Sequence, residues 1–256
     1  MTDSDARTVP EAALDPGSVL DWAHRAMPPA YASVLETMIE DAAHDGRVRA
    51  LLLTGSMARC DALPGTDIDV RYILDLAAER SFHRRIHDGI LLEQTFTTES
   101  AAQVQVEDNA MHVYAYLDGV PLYDPDGALA RLRSRALRVY RSHQTPEETK
   151  YDIAEALRHP EDKVRVALAA GDLFKATFCL ATTSWQLIEG LWAANDLPLP
   201  PNSSVRHHLA DLRGPKHLEE KFELLFVGSP TARAEAALEL IGWVRRQLSN
   251  QLESVR

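Results

Sequence analysis

Two aspartates in the segment LLLTGSMARCDALPGTDIDV, residues 51–70, have the type and spacing of metal ligands. Asp67 and Asp69 are two positions apart, and in a strand such residues point to the same side with Cα atoms roughly 6.6 Å apart. Converging carboxylates repel one another unless a cation lies between them, and hard oxygen ligands favour Mg²⁺. The pair therefore indicates a magnesium site, although two solvated aspartates at a strand edge would have the same pattern.

A phosphate-binding turn is indicated just before the aspartates. Gly55 and Ser56 follow the apolar run 48–53, where a strand would end and the chain would turn into a helix. Backbone N–H groups and a hydroxyl at such a turn are free to bind phosphate. A phosphate site on one strand end and a metal site on the next strand would together bind a nucleoside triphosphate with Mg²⁺.

The stretch GSMARCDALPGTDIDV resembles the signature of the nucleotidyltransferase superfamily of the DNA polymerase beta type. In that signature Gly-Ser, a spacer of this length and an Asp-x-Asp flanked by apolar residues occur in this order. Arg59 also matches an arginine of many minimal nucleotidyltransferases, whereas Cys60 replaces their usual second glycine. The resemblance covers residues 30–140.

The resemblance implies an acceptor hydroxyl that attacks the α-phosphate of a nucleotide and releases pyrophosphate. It implies two Mg²⁺ ions with Asp67 and Asp69 as shared ligands, and Ser56 on the outer phosphates. It also implies a third carboxylate on a following strand, for which Glu93 in the apolar run GILLEQTF is the candidate, as metal ligand or as general base. An exposed strand glutamate would have the same pattern, in which case Glu99 or Glu107 could be the third acid.

Arg71 lies on the same strand face as the aspartates. Two interpretations of it are open: a contact with phosphate or substrate, or the partner in a structural salt bridge.

The elements that must position these residues are an α/β half and a helical half. Alternating and helical periodicities predict the following elements in the first half: helix 30–44, strands 48–53 and 67–74, extended runs 80–87 and 90–97 joined by Asp88-Gly89, strand 111–117 and helix 127–139. Beyond a polar stretch at 142–150, helical patterns cover 150–170, 172–194, 204–212, 216–226 and 230–252. The aromatic residues at helical spacing are expected to form a core face: Tyr151, Phe174, Phe178, Trp185 and Trp192.

The fold class expected from these patterns and from the resemblance is α+β. A flexible N-terminal tail, 1–28, would precede a nucleotidyltransferase catalytic domain with a mixed sheet and flanking helices, 29–141. A C-terminal α-helical bundle, 151–256, would close over substrate and nucleotide. This half is similar in length and pattern to that of two-domain antibiotic adenylyltransferases, and Lys175 and Arg206 are its candidates for binding the triphosphate.

Composition restricts the partners. Lys+Arg 27 against Asp+Glu 38 gives a net charge of −11, which disfavours nucleic acid and favours a cationic small molecule. Two cysteines without metal-ligand spacing favour a reducing compartment, and neither a secretory signal nor a membrane span is expected. We therefore expect a cytoplasmic protein, monomer or homodimer.

The expected activity is Mg²⁺-dependent transfer of AMP from ATP to a hydroxyl of a small molecule, as in the aminoglycoside and lincosamide antibiotic-resistance enzymes. Modification of a protein or RNA end, as by minimal nucleotidyltransferase antitoxins, and a non-catalytic nucleotide-binding module are the alternatives.

Overall fold

The structure is a computed structural model that describes residues 16–77 and 81–254. The chain divides into two compact units. One comprises Met1–Arg141 with Pro201–Ser204, and the other comprises Ser142–Pro200 with Val205–Arg256. The first contains a mixed sheet with flanking helices and the second contains helices, so the expected α+β class is confirmed.

The described part of the first unit contains one sheet, with strands in the order β3-β4-β2-β1-β5. The strands are β1 Val48–Thr54, β2 Ile68–Leu74, β3 Phe82–His87, β4 Ile90–Thr98 and β5 Val120–Tyr123. β2 and β4 pair in parallel, and the other neighbouring strands are antiparallel. Strands β3 and β4 form the hairpin that Asp88-Gly89 predicts, and both turn residues have the positive φ that a type I′ turn requires.

One face of strand β2 packs in a hydrophobic cluster, and the other face carries residues of the candidate site. Ile68, Val70 and Tyr72 are buried on one face, where they join a hydrophobic cluster with helix α2, Pro29–His44. Asp69 and Arg71 lie on the other face, in agreement with the alternation of the sequence. Burial of the apolar face therefore determines which way the polar residues point.

The other helices of this part are α1 Pro16–Ala26, α3 Gly55–Ala58, α4 Glu99–Asp108, α5 Ala110–Leu117 and α6 Ala128–Ser142. Helix α1 lies within the segment that was expected to be a flexible tail, 1–28. It forms because Val19 and Trp22 are buried in the same cluster as α2. Residues 1–15 lie outside the described part of the chain.

The strand predicted at 111–117 is wrong, because these residues form most of helix α5. Val113, Tyr114 and Tyr116 are strong strand formers, but they are buried on one side of a helix that packs near the sheet. The side chain of Asn109 caps this helix and accepts a hydrogen bond from the N–H of Met111 at 3.0 Å. Helix α4 was missed because it buries only Ala102 and Val106, which is a weak periodic signal.

The second unit contains four α-helices in the described residues: α7 Glu147–Ala169, α8 Leu173–Ala193, α9 Leu218–Val227 and α10 Pro230–Ser254. The segment 204–212, predicted as a helix, instead contains parts of two 3₁₀ turns, Asn202–Ser204 and Leu209–Asp211. Directly after this segment, the side chain of Asn195 binds both backbone groups of Arg213, donating to its carbonyl at 3.0 Å and accepting from its N–H at 2.8 Å.

The expected aromatic core face of this unit is mostly wrong. Trp192 is buried, but the other side chains are exposed, from 38% to 82%: Tyr151, Phe174, Phe178 and Trp185. Helix α8 instead faces the core with Ala176, Leu180 and Leu187. No described helix combines the length and the apolar character that crossing a membrane requires.

Candidate active site

The turn after β1 brings Gly55 against the carboxylate of Asp69. Thr54, the last residue of β1, is the register partner of Asp69, and its hydroxyl donates to the Asp69 carbonyl at 3.3 Å. Gly55 has φ +71°, and a Cβ atom on it would lie 2.2 Å from Oδ2 of Asp69. A residue with a side chain would therefore displace this carboxylate.

The next residues of the turn also have defined positions. The Ser56 and Thr66 hydroxyls are 2.9 Å apart and share a hydrogen bond. Cys60 has φ 59°, in the left-handed region that favours glycine. The turn thus has glycine-like geometry at both Gly55 and Cys60.

Three carboxylates converge beside this turn. Asp69 and Glu93 are register partners in the parallel pair of β2 and β4, and Asp67 immediately precedes β2. One ligand oxygen from each of Asp67, Asp69 and Glu93 lies within 4.8 Å of the others, and all three residues are half-buried. The structure therefore brings together the three acids that the sequence singled out.

The electrostatics of the cluster are unfavourable without a cation. Burial, followed by repulsion from Asp67 and Glu93, raises the pKa of Asp69 to about 6, although Arg71 and Arg59 act in the opposite direction. Carboxylate oxygens held together at this distance are the donor set that Mg²⁺ prefers. The residues present thus fit a divalent cation, which would offset their mutual repulsion.

Glu93 has a cationic neighbour that sequence reasoning did not assign to the site. Arg84 is its register partner on β3, and its Nε lies 3.2 Å from Oε1 of Glu93. The Glu93 side chain is 29% exposed with this ion pair in place, so it is still accessible. The other two acids considered from the sequence lie on α4, where Glu99 pairs with Arg131 and Glu107 with Arg135.

Arg71 has no carboxylate within 4 Å of its guanidinium nitrogens in the described part of the chain. It instead donates from Nη1 to Nδ1 of His112 at 3.0 Å. The structure therefore does not show the salt bridge of the structural interpretation, and the contact with phosphate or substrate stays a prediction. His112 was not found from the sequence because its helix was taken for a strand, which would have placed it elsewhere in the sheet.

Arg59 lies at the end of α3, and its side chain is only 4% exposed. Its Nε donates to Asp61 at 3.1 Å, and its Nη2 donates to the carbonyl of Ser203 at 3.2 Å. Gly55, Arg59, Asp69, Arg71 and His112 line one cavity of about 350 Å³.

The remaining two predicted residues lie in the second unit. Lys175 is exposed in the first turn of α8, where its backbone N–H donates to Asp172 at 2.9 Å. Arg206 was expected to open a helix but lies between the two 3₁₀ turns, with Nη2 3.8 Å from Oε2 of Glu223. Their role in nucleotide binding stays a prediction.

Comparison with known proteins finds no matching family model and no matching curated protein. Among solved structures, the chain is similar to a nucleotidyltransferase-like protein from Exiguobacterium sibiricum 255-15. The two chains are 12% identical, the match covers 86% of this chain and 74% of that chain, and the TM-score is 0.39.

Proposed function

We propose that this protein is a Mg²⁺-dependent nucleotidyltransferase that moves a nucleoside monophosphate from a nucleoside triphosphate to an acceptor hydroxyl. The observation that carries the proposal is the convergence of Asp67, Asp69 and Glu93 within 4.8 Å beside Gly55. A structural role would not require three half-buried like charges to converge. The resemblance of residues 30–140 to nucleotidyltransferases supports the same reaction.

The chain's own groups have distinct roles in the proposed reaction. Asp67 and Asp69 bind divalent metal, and the turn at Gly55 and Ser56 holds the outer phosphates. Two bound Mg²⁺ ions would neutralise charge on the transferred and leaving phosphate oxygens.

Glu93 is the candidate base because it is accessible and adjoins both aspartates. It takes the proton from the acceptor hydroxyl as the new bond from oxygen to the α-phosphorus forms. The bond from that phosphorus to the bridging oxygen of the β-phosphate breaks, and pyrophosphate leaves with the electron pair. The metal-ligand role of Glu93 is the alternative within the same mechanism.

We further propose ATP as the nucleotide and a small cationic molecule such as an aminoglycoside-like antibiotic as the acceptor. The net charge of −11 supports a cationic acceptor. The resemblance of the helical half to antibiotic adenylyltransferases supports ATP, with Lys175 and Arg206 as its proposed contacts.

The experiment is transfer of label from α-phosphate-labelled ATP and GTP with Mg²⁺, with aminoglycosides, lincosamides and the protein alone as acceptors. Label on one small molecule with wild-type protein, and none with Asp67→Asn, is the expected result. Label on the protein itself would favour the modifying alternative. No label on any acceptor, with tight binding of nucleotide, would favour a non-catalytic nucleotide-binding module.

A further inference from the structure

Arg71 is a half-buried cation that forms no ion pair within 4 Å in the described residues. It lies two positions after Asp69 on the same face of β2, and both line the 350 Å³ cavity. A half-buried guanidinium without a carboxylate within 4 Å keeps its charge and N–H donors available for an anionic ligand. Asp69 is close enough for the two charges to affect each other but does not form an ion pair with Arg71.

The hydrogen-bond acceptor of this guanidinium is a histidine ring nitrogen of His112 rather than a carboxylate. The hydrogen bond from Arg71 Nη1 requires an unprotonated Nδ1 on His112, so the ring must be neutral with its proton on Nε2. Burial and the adjacent guanidinium both lower the pKa of His112, which keeps the ring neutral. A neutral acceptor fixes the guanidinium without neutralising its charge, and a carboxylate in the same place would do both.

A second group of α5 contacts the guanidinium from another side. Cζ of Arg71 lies 5.9 Å from the ring centroid of Tyr116, which is four residues after His112 and therefore on the same face of the helix. The Tyr116 side chain is buried. The two side chains together restrict the orientation of Arg71.

The cavity is thus lined by Asp69 of the carboxylate cluster, by Asp118, and by the Arg71 guanidinium, which His112 orients. A guanidinium has five N–H donors, and the bond to His112 uses one of them. Planar N–H donors of this kind match the oxygens of a phosphate. A metal-bound polyphosphate at the carboxylates would place negatively charged phosphate oxygens beside the Arg71 guanidinium.

We infer that His112 is a positioning residue that orients Arg71 to bind a phosphate group of the nucleoside triphosphate. This inference rests on the proposed function, because it takes the ligand of the cavity to be a nucleotide. Arg71 contacts the phosphate, and His112 acts through Arg71 alone. The residue needed at position 112 is therefore a neutral hydrogen-bond acceptor rather than a charged or catalytic group.

A double-mutant cycle tests this inference without any acceptor. Binding of inorganic tripolyphosphate with Mg²⁺ is measured by calorimetry for wild type, His112→Leu, Arg71→Gln and the double variant. His112→Asn is the matched control, because its side-chain oxygen can replace the acceptor Nδ1. Thermal unfolding of every variant verifies that the fold is retained, and Arg71→Lys is available if Arg71→Gln does not fold.

We expect His112→Leu to weaken binding by about tenfold in the wild-type background and by less than about twofold in the Arg71→Gln background. His112→Asn should stay within about threefold of wild type. The inference would be overturned if His112→Leu weakened tripolyphosphate binding equally in both backgrounds, or if His112→Asn weakened it as much as His112→Leu. Absence of tripolyphosphate binding by wild type would also overturn it. Label transfer by wild type decides the proposed function separately. If wild type transfers label but the effect of His112→Leu is the same in both backgrounds, only the role of His112 is rejected. If the effect depends on Arg71 but wild type transfers no label, only the proposed reaction is rejected.

Discussion

Gly55 and Asp69 approach so closely that a Cβ atom on the glycine would lie 2.2 Å from Oδ2 of the carboxylate. This contact links the turn after β1 to the acid on β2. These are the parts of the segment 51–70 that are proposed to bind phosphate and metal. It explains why glycine precedes the aspartates: the phosphate-binding turn and the proposed metal ligand occupy adjoining space.

Replacing Gly55 should therefore damage the site more than it damages the backbone. Gly55→Ala forces Asp69 to move and is expected to weaken Mg²⁺ binding by at least about tenfold, with a stability loss of about 2 to 4 kcal/mol from crowding and backbone strain. Gly65→Ala is the matched control, since Gly65 also has a positive φ but nothing within 4 Å of an added Cβ. It should cost about 1 kcal/mol and leave Mg²⁺ binding unchanged. Equal Mg²⁺ affinities of the two variants, measured by calorimetry, would contradict the close contact.

Asp69→Asn should stabilise the metal-free protein at pH 7. The raised pKa of Asp69, about 6 against an ordinary value of 3.8, means that its ionised form is disfavoured by the fold. After allowance for solvent screening, removing the charge should raise the free energy of unfolding by about 1 kcal/mol in EDTA. Urea unfolding measures this value. The control is Asp75→Asn, an exposed acid just after β2 whose surface ion pair with Arg49 should contribute less than about 1 kcal/mol. A lower stability of Asp69→Asn in EDTA would mean that the carboxylates do not repel one another.

That stability difference should depend on pH in a defined direction. A carboxyl whose pKa is raised by folding adds stability below its ordinary pKa, and this stability is lost as the pH rises through the folded value. Wild type and Asp69→Asn should therefore converge as the pH falls from about 6 to about 4, the interval between the folded and the ordinary pKa of Asp69. Mg²⁺ affinity should fall over the same interval, because a proton and the metal compete for Asp69. A constant Mg²⁺ affinity from about pH 8 to about pH 5 would exclude Asp69 as a ligand.

Glu93→Gln should lower turnover while nucleotide binding persists. Loss of a general base costs about 10² to 10⁴ in rate, whereas the isosteric amide keeps the shape of the site. Arg84→Gln removes the exposed ion pair of Glu93 and should change turnover by less than about threefold. Label-transfer rates and nucleotide dissociation constants for both variants separate the two effects. Normal turnover of Glu93→Gln would show that Glu93 is not the general base. Glu99 and Glu107 could not readily replace it, because each forms an ion pair with an arginine, Arg131 and Arg135 respectively.

Strongly patterned elements of the fold were predictable from the sequence, and long-range pairing was not. The alternation of β2 and the Asp88-Gly89 turn are local signals, and both led to correct elements. The register of Asp69 with Glu93 depends on a parallel pairing between distant segments, which local periodicity does not encode. It could only be expected from a family resemblance.

The neighbours of the predicted acids were harder to find than the acids themselves. Val113, Tyr114 and Tyr116 have high strand propensity, so α5 was predicted as a strand and His112 was not placed beside Arg71. Arg84 was missed for another reason: a charged residue on an edge strand usually has only the role of preventing edge pairing. Tertiary contacts, rather than residue type, give both side chains their place near the site.

The most direct test of the account is Mn²⁺ binding by the protein, followed by electron paramagnetic resonance as the loss of the free-ion signal. Wild type and Asp75→Asn should take up Mn²⁺ saturably, and Asp69→Asn should take up none at the same concentrations. Mn²⁺ uptake by Asp69→Asn equal to that of wild type would contradict the claim that Asp67, Asp69 and Glu93 form one metal site.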